Sequence, residues 1–268
     1  RITLSAAPGH KPVVSGSDVL TGPWERLPGD RPIYTTPREA YTQMVFCDAS
    51  RLRQIGLQGN PERAEKGGGF RYQKQWDGKG LQDMAPGSFL FDAEGKRLCL
   101  WLADGTDPSQ HLVEVPVRTR GITLQGTWTL SGFDVRHVAD GRWPDEQAVV
   151  VSGKCCVVEG CRIVDNEFLG LIVSGEDCTV RGNPIARNGL MGFTSHVGYR
   201  MLFEGNELHD NAWRGDVECL TAGNKLVMWR DSRFVRNWWH DEPASALWLD
   251  ISDGNCLVAE NRFDNCAV

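Results

Sequence analysis

The sequence is poor in several things that would point to common protein classes. No window carries a convincing helical stripe, which argues against a helical bundle or an α/β fold. No apolar run is long enough to span a membrane as a helix. Neither an initiator Met nor a signal peptide stands at the start. Basic residues are not in excess: the formal charge is −6 over 268 residues, so the chain has no electrostatic footprint for nucleic acid. No CxxC or Cys/His spacing fits a zinc site, and nine cysteines are an odd number for a closed disulfide framework.

What the second half does contain is a degenerate repeat. VVEGCRIVDN, TVRGNPIARN, LFEGNELHDN and MWRDSRFVRN align as one pattern, stacking Gly160, Gly182, Gly205 and Asp231, then Ile163, Ile185, Leu208 and Phe234. Asn166, Asn188, Asn211 and Asn237 follow at intervals of 22, 23 and 26 residues. Such a period is too long for a hairpin and suits one turn of a solenoid. Each repeat holds two or three short runs of alternating character broken by Gly, Asn or Asp, the pattern of an all-β, right-handed parallel β-helix. Asn tolerates positive φ and can bond to its stacked copies, so an asparagine ladder is expected. Weaker copies lie at 129–138 and 258–267, where Cys266 takes the ladder position.

Cys156, Cys178 and Cys256 share a repeat position with Met201 and Val227 and are expected to be buried, free thiols. Among ten tryptophans, Trp213, Trp229, Trp238, Trp239 and Trp248 come late, and several are expected outside the lumen on loops or a groove wall. Residues 1–34 read as a first coil, 35–111 as a β-rich insertion containing a hairpin turn at DAEGK, and 112–268 as further coils. Neither end shows the cap a solenoid needs, so the chain is expected to be truncated at both ends, with the remaining coils of its parent as partners.

A β-helix lumen is full, so a ligand must lie on an outer face. The candidate sheet is AVVVSG, GLIVSG, GFTSHVG, DVECLTAG and SALWLDISDG. Alternation there directs Val217, Cys219, Leu247, Leu249 and Ile251 inward and Glu218, Trp248, Asp250 and His196 outward. Glu218 and Asp250 are the candidate catalytic pair, since glycoside hydrolysis uses one carboxylic acid and one carboxylate. With Glu218 stacked under Trp248, the Cβ atoms of Glu218 and Asp250 are roughly 8 Å apart, which favours inversion. Trp248, Trp213, His196, His240 and Asp241 are candidate sugar-binding residues, the last two on a loop beside Asp250. No metal is assigned; Ca²⁺ held by Asp216, Glu218 and Asp250 is the exception that would favour a lyase or uronate epimerase, with Lys225, His196 or an Arg as base. A glycan-binding module without catalysis is the third reading.

The segments ITLSAAPGHKPVVSGSD, MVFCDASRL, APGSFLFDAEGKRLCLWLADGTDP, VECLTAG and ALWLDISDGNCLVAENRF resemble bacterial pectate-lyase-like β-helix proteins, particularly the carbohydrate-active ones with an interrupted N-terminal coil. The resemblance implies a fold shared with β-helical xylosidases, xylanases and fucosidases, a polysaccharide or oligosaccharide substrate, and a secreted or periplasmic location. It also implies a role for Asp250 as the acid of a GxWxD-like strand, in which Ala246 here replaces the Gly.

Overall fold

The computed structural model describes residues 1–57, 76–141, 146–214, 223–251 and 254–267. It divides into two compact units, one of residues 1–16 with 118–268 and the other of residues 17–117.

The first unit is a parallel β-helix of three sheets. Sheet 1 has seven strands, from Ile2–Ser5 to Leu257–Ala259, and sheet 2 has seven, from Val13–Ser15 to Arg262–Asp264. Sheet 3 has eight, with a main path from Ile122–Gln125 to Trp248–Asp250. The inward positions are apolar because no water reaches the lumen. Sheet 1 stacks Leu130, Val158, Val180, Phe203 and Phe234, and sheet 2 stacks Val135, Ile163, Ile185, Leu208 and Trp239. Of the five late tryptophans, Trp229 and Trp239 are fully buried in the lumen, whereas Trp213, Trp238 and Trp248 are half-buried or exposed. The buried pair fits because the last coils fill the lumen with rings: Phe193 on Phe203 at 4.6 Å, Trp229 on Phe234 at 5.0 Å and Trp239 on Phe263 at 4.9 Å.

Among the described residues of the solenoid the corners share one device: a residue in the left-handed region followed by a buried or half-buried one. At the first corner Cys155, Asp177, Arg200, Asp231 and Asn255 have φ of 51–54° and precede Cys156, Cys178, Met201, Ser232 and Cys256. Ser232, rather than Val227, thus shares the cysteine position, and it accepts the Met201 N–H at 3.0 Å. The cysteines among the described residues are free.

The other two corners carry two asparagine ladders where one was expected. Asn183, Asn206, Asn237 and Asn261 form the first, each Nδ2 donating to the next Oδ1 at 2.9–3.0 Å. Asn166, Asn188 and Asn211 form the second, closed by Glu242. Asn237 therefore belongs to a different ladder from Asn211. The repeat containing it is 31 residues long between ladder positions 211 and 242, and matching it at 26 slides Phe234 onto Leu208 when its true neighbour is Phe203. Glycine lies against the second ladder: a Cβ on Gly192 would come within 2.7 Å of Asn211 Nδ2, and one on Gly223 within 2.6 Å of Glu242 Cδ.

The second unit has its own core of Val45, Phe89, Leu98, Leu100, Leu102 and Val113. The DAEGK hairpin is present, with Asp92 opposite Arg97 and its carboxylate 2.8 Å from the Arg97 guanidinium. This unit is wider than the expected 35–111, because Ser17–Val19, Glu25–Arg26 and Val113–Pro116 pair within its sheets. The first coil accordingly keeps only residues 1–16 of the expected 1–34.

Candidate functional site on the outer face of sheet 3

Sheet 3 presents a line of outward side chains running Thr123, Val150, Ile172, Thr194, Lys225 and Trp248, each opposite the next. Its early part forms a groove of about 680 Å³ lined by Arg120, Thr123, Gln125, Ser152, Ile172 and Ser174. Hydroxyl, amide and guanidinium groups beside small apolar patches suit a sugar, which offers hydroxyls at its rim and C–H bonds on its faces.

At the later end, alternation works as the sequence implies. Leu249 stacks on the buried Leu226, so Trp248 and Asp250 face outward. Ile251 departs from the pattern: it sits in the left-handed region at φ 52° and is exposed. Lys225 lies at the centre of this end. Its Nζ is 2.9 Å from Asp250 Oδ2 and 3.9 Å from the centroid of the Trp248 ring. The ion pair and the cation–π contact together fix the orientation of both outward groups. Thr194 Oγ1 donates to the Lys225 carbonyl at 2.7 Å, tying this strand to the coil before it. One face of the indole is taken by the ammonium.

His196 follows the Met191–Ser195 strand and is exposed on the same side. Its pKa is lowered, first by partial burial and then by the Lys225 charge, so it offers a neutral imidazole near neutrality.

Two sequence expectations fail here. On the sheet 3 path the strand beneath Trp248–Asp250 is Asn224–Val227, so the residue stacked beneath Trp248 is Lys225 and not Glu218. The expected carboxylate separation of roughly 8 Å thereby loses its basis. Glu218 and Asp216 themselves lie outside the described residues. The DVECLTAG segment ends in a small residue and Gly, as AVVVSG and GLIVSG do, whereas NKLV lacks that ending but has the alternation and a buried Leu226.

His240 and Asp241 are not on a loop beside Asp250. His240 ends the Trp238–His240 strand of sheet 2, stacks on His209 at 4.6 Å, and bonds to Glu207 and Asp241. Asp241 occupies the left-handed corner that follows. Trp213 is half-buried and donates its indole N–H to the Arg187 carbonyl at 3.0 Å, which commits its polar edge to the scaffold.

Residues 121–268 match the family model described as a right handed beta helix region. No curated protein matches the sequence. Among solved structures, XylC with xylose superposes with a TM-score of 0.68 at 16% identity, covering 98% of this chain and 54% of that one. A glycoside hydrolase gives 0.58 at 9% identity, covering 96% and 83%. The A-module of mannuronan C-5 epimerase AlgE4 from Azotobacter vinelandii reaches 0.37 at 13% identity, over 56% and 52%, too low to bear on this chain. The chain spans about half the length of XylC. With its three parallel sheets, left-handed corners and stacked ladders, the chain belongs to the right-handed β-helix family.

Proposed function

We propose that this chain is part of a carbohydrate-active β-helix protein, a glycoside hydrolase that holds a polysaccharide or oligosaccharide along the outer face of sheet 3. The observation that carries the reading is the outward carboxylate of Asp250 beside the Trp248 indole, on the same sheet face as the polar groove of the earlier coils. Asp250 acts as one of the two carboxylates that glycoside hydrolysis requires, Trp248 stacks a sugar ring, and His196 bonds its hydroxyls. The fold likeness to XylC and to a glycoside hydrolase supports the reading. A polymeric substrate implies a secreted or periplasmic protein.

One observation favours a second reading. Lys225 places a cation in the middle of the face, and an anionic uronate is what such a cation neutralises, as a lyase or epimerase needs.

The test is turnover by the full-length parent protein on xylan, fucosylated and pectic glycans, scoring reducing ends and unsaturated products together. Hydrolysis predicts reducing ends without unsaturation, and a loss of roughly a hundredfold or more in kcat for Asp250→Asn with binding retained. Unsaturated products abolished by Lys225→Met would establish the lyase. Glycan binding without turnover, unchanged in Asp250→Asn, would leave a binding module.

A further inference from the structure

The outer face of sheet 2 carries a group of side chains that the sugar site does not use. Glu207 and His209 are two residues apart on the Glu207–His209 strand and therefore point to the same side, and His240 is the direct neighbour of His209 on the next strand. Two positions on one strand and one across from them form the three-point arrangement that lets a sheet converge ligands on one atom. One ligand atom from each of the three lies within 4.8 Å of the other two.

Both imidazoles are oriented by the same device. His209 Nδ1 is 2.7 Å from Asp210 Oδ2, and His240 Nδ1 is 2.8 Å from Asp241 Oδ2. Each carboxylate comes from the left-handed corner residue that follows its histidine, so the corner geometry repeated in every coil aims it. Asn265 holds Asp241 in turn, donating to its other oxygen at 2.6 Å. A carboxylate accepting from Nδ1–H fixes the tautomer and leaves the Nε2 lone pair as the ligand, the support that metal-binding histidines have. The two rings are stacked at 4.6 Å within 12° of parallel, so the rings must tilt toward each other for both Nε2 lone pairs to meet one ion. His240 Nε2 then meets Glu207 Oε1 at 3.2 Å, lone pair against carboxylate unless a cation or a proton lies between.

We propose that Glu207, His209 and His240 bind a divalent transition metal, with Zn²⁺ the best match to two imidazoles and one carboxylate. Ligands around tetrahedral Zn²⁺ at about 2.0–2.1 Å stand roughly 3.3–3.5 Å apart, so the site closes on the ion by rotation of Glu207 and tilting of the two rings. The fourth position is open to water. Asp264, next in the column after His240, is committed elsewhere: it accepts from Trp238 Nε1 at 2.6 Å and from Arg262 at 2.5 Å. The metal bridges two coils at the place where the 31-residue repeat intervenes, between ladder positions Asn211 and Glu242, and so clamps the longest turn of this part of the solenoid.

The test uses the whole chain, stripped with chelator and titrated with ZnCl₂ by calorimetry and with CoCl₂ by absorption. Expected are one Zn²⁺ per chain, a raised Tm, and a tetrahedral Co²⁺ spectrum lacking a thiolate band. His209→Ala and His240→Ala should abolish this binding, and Asp210→Asn and Asp241→Asn should weaken it roughly tenfold to a hundredfold, with unchanged far-ultraviolet circular dichroism without metal. The other cluster of suitable side chains, Cys47, Asp48 and His111, supplies the control. Absence of Zn²⁺ binding, a cobalt–thiolate band, or binding lost in His111→Ala and kept in His240→Ala would overturn the assignment.

Discussion

Glu242 stands where an asparagine should. It is buried at the end of the second ladder, and its two carboxyl oxygens accept the backbone N–H of Asn211 at 3.0 Å and the Nδ2 of Asn211 at 2.9 Å. In other rungs a single Oδ1 accepts both donors, as Asn211 does from Asn188. Desolvation raises its pKa from 4.5 to about 7, even though the Asn211 hydrogen bonds oppose the rise. The folded chain therefore keeps a proton that the unfolded chain releases at lower pH. Between about pH 4.5 and 7 the native state binds more protons, so stability falls as pH rises through that window and is level above it. The drop is on the order of 3 kcal/mol at most, since each tenfold change in proton affinity between the folded and unfolded chain is worth about 1.4 kcal/mol. Glu242→Gln keeps an acceptor oxygen for Asn211 and removes the charge. Urea unfolding at pH 5 and pH 8 should show this variant at least as stable as the parent at pH 8, with most of the pH slope gone.

At the scale of the element, the coil is built from three corners and three strands, and its corners cost backbone strain. An L-residue in the left-handed region is disfavoured by about 1–2 kcal/mol, yet most corner residues here are not glycine. Compensation comes from the ladders, whose amides satisfy the backbone groups the corners leave unpaired. Asn188 shows how. Its Nδ2 donates to the Ile163 carbonyl at 3.2 Å and to Asn211 Oδ1, and its Oδ1 accepts from Asn166 at 2.8 Å. Asn188→Ala would strand a buried carbonyl and a buried amide at once, and is expected to destabilise by about 2–4 kcal/mol, read from the midpoint of urea unfolding. Outside the ladders, charged pairs such as Arg187 with Asp165 and Arg200 with Asp177 link neighbouring corners. These lie at the surface and contribute much less.

At the scale of the molecule, two cores fold from one chain. The solenoid has its own apolar column, and residues 17–117 have theirs. The chain leaves and re-enters the solenoid at adjacent points, since Arg118 N–H donates to the Gly16 carbonyl at 2.9 Å and Gly16 N–H to that of Arg136 at 3.0 Å. Replacing residues 17–117 with a short Gly/Ser linker is therefore expected to leave a soluble β-helix that unfolds in one cooperative transition. A chain that fails to fold, or shows no β signal by circular dichroism, would show that the solenoid needs the second unit.

The all-β solenoid, the burial of Cys156 and Cys178, the hairpin in the second unit and the outward direction of Trp248 and Asp250 were legible in the residues, because alternation and left-handed turn chemistry are local properties; Cys256, expected buried too, is half-buried. Register between coils was not. The Asn237 repeat looks like its predecessors over ten residues, and only the fit of Phe234 on Phe203 and Trp239 on Leu208 decides that it is displaced by a longer turn. The same displacement brings Lys225 beneath Trp248 and His240 beside His209. Which residues meet across coils depends on how large side chains fill a shared lumen, a sum over distant parts of the chain that no single repeat contains.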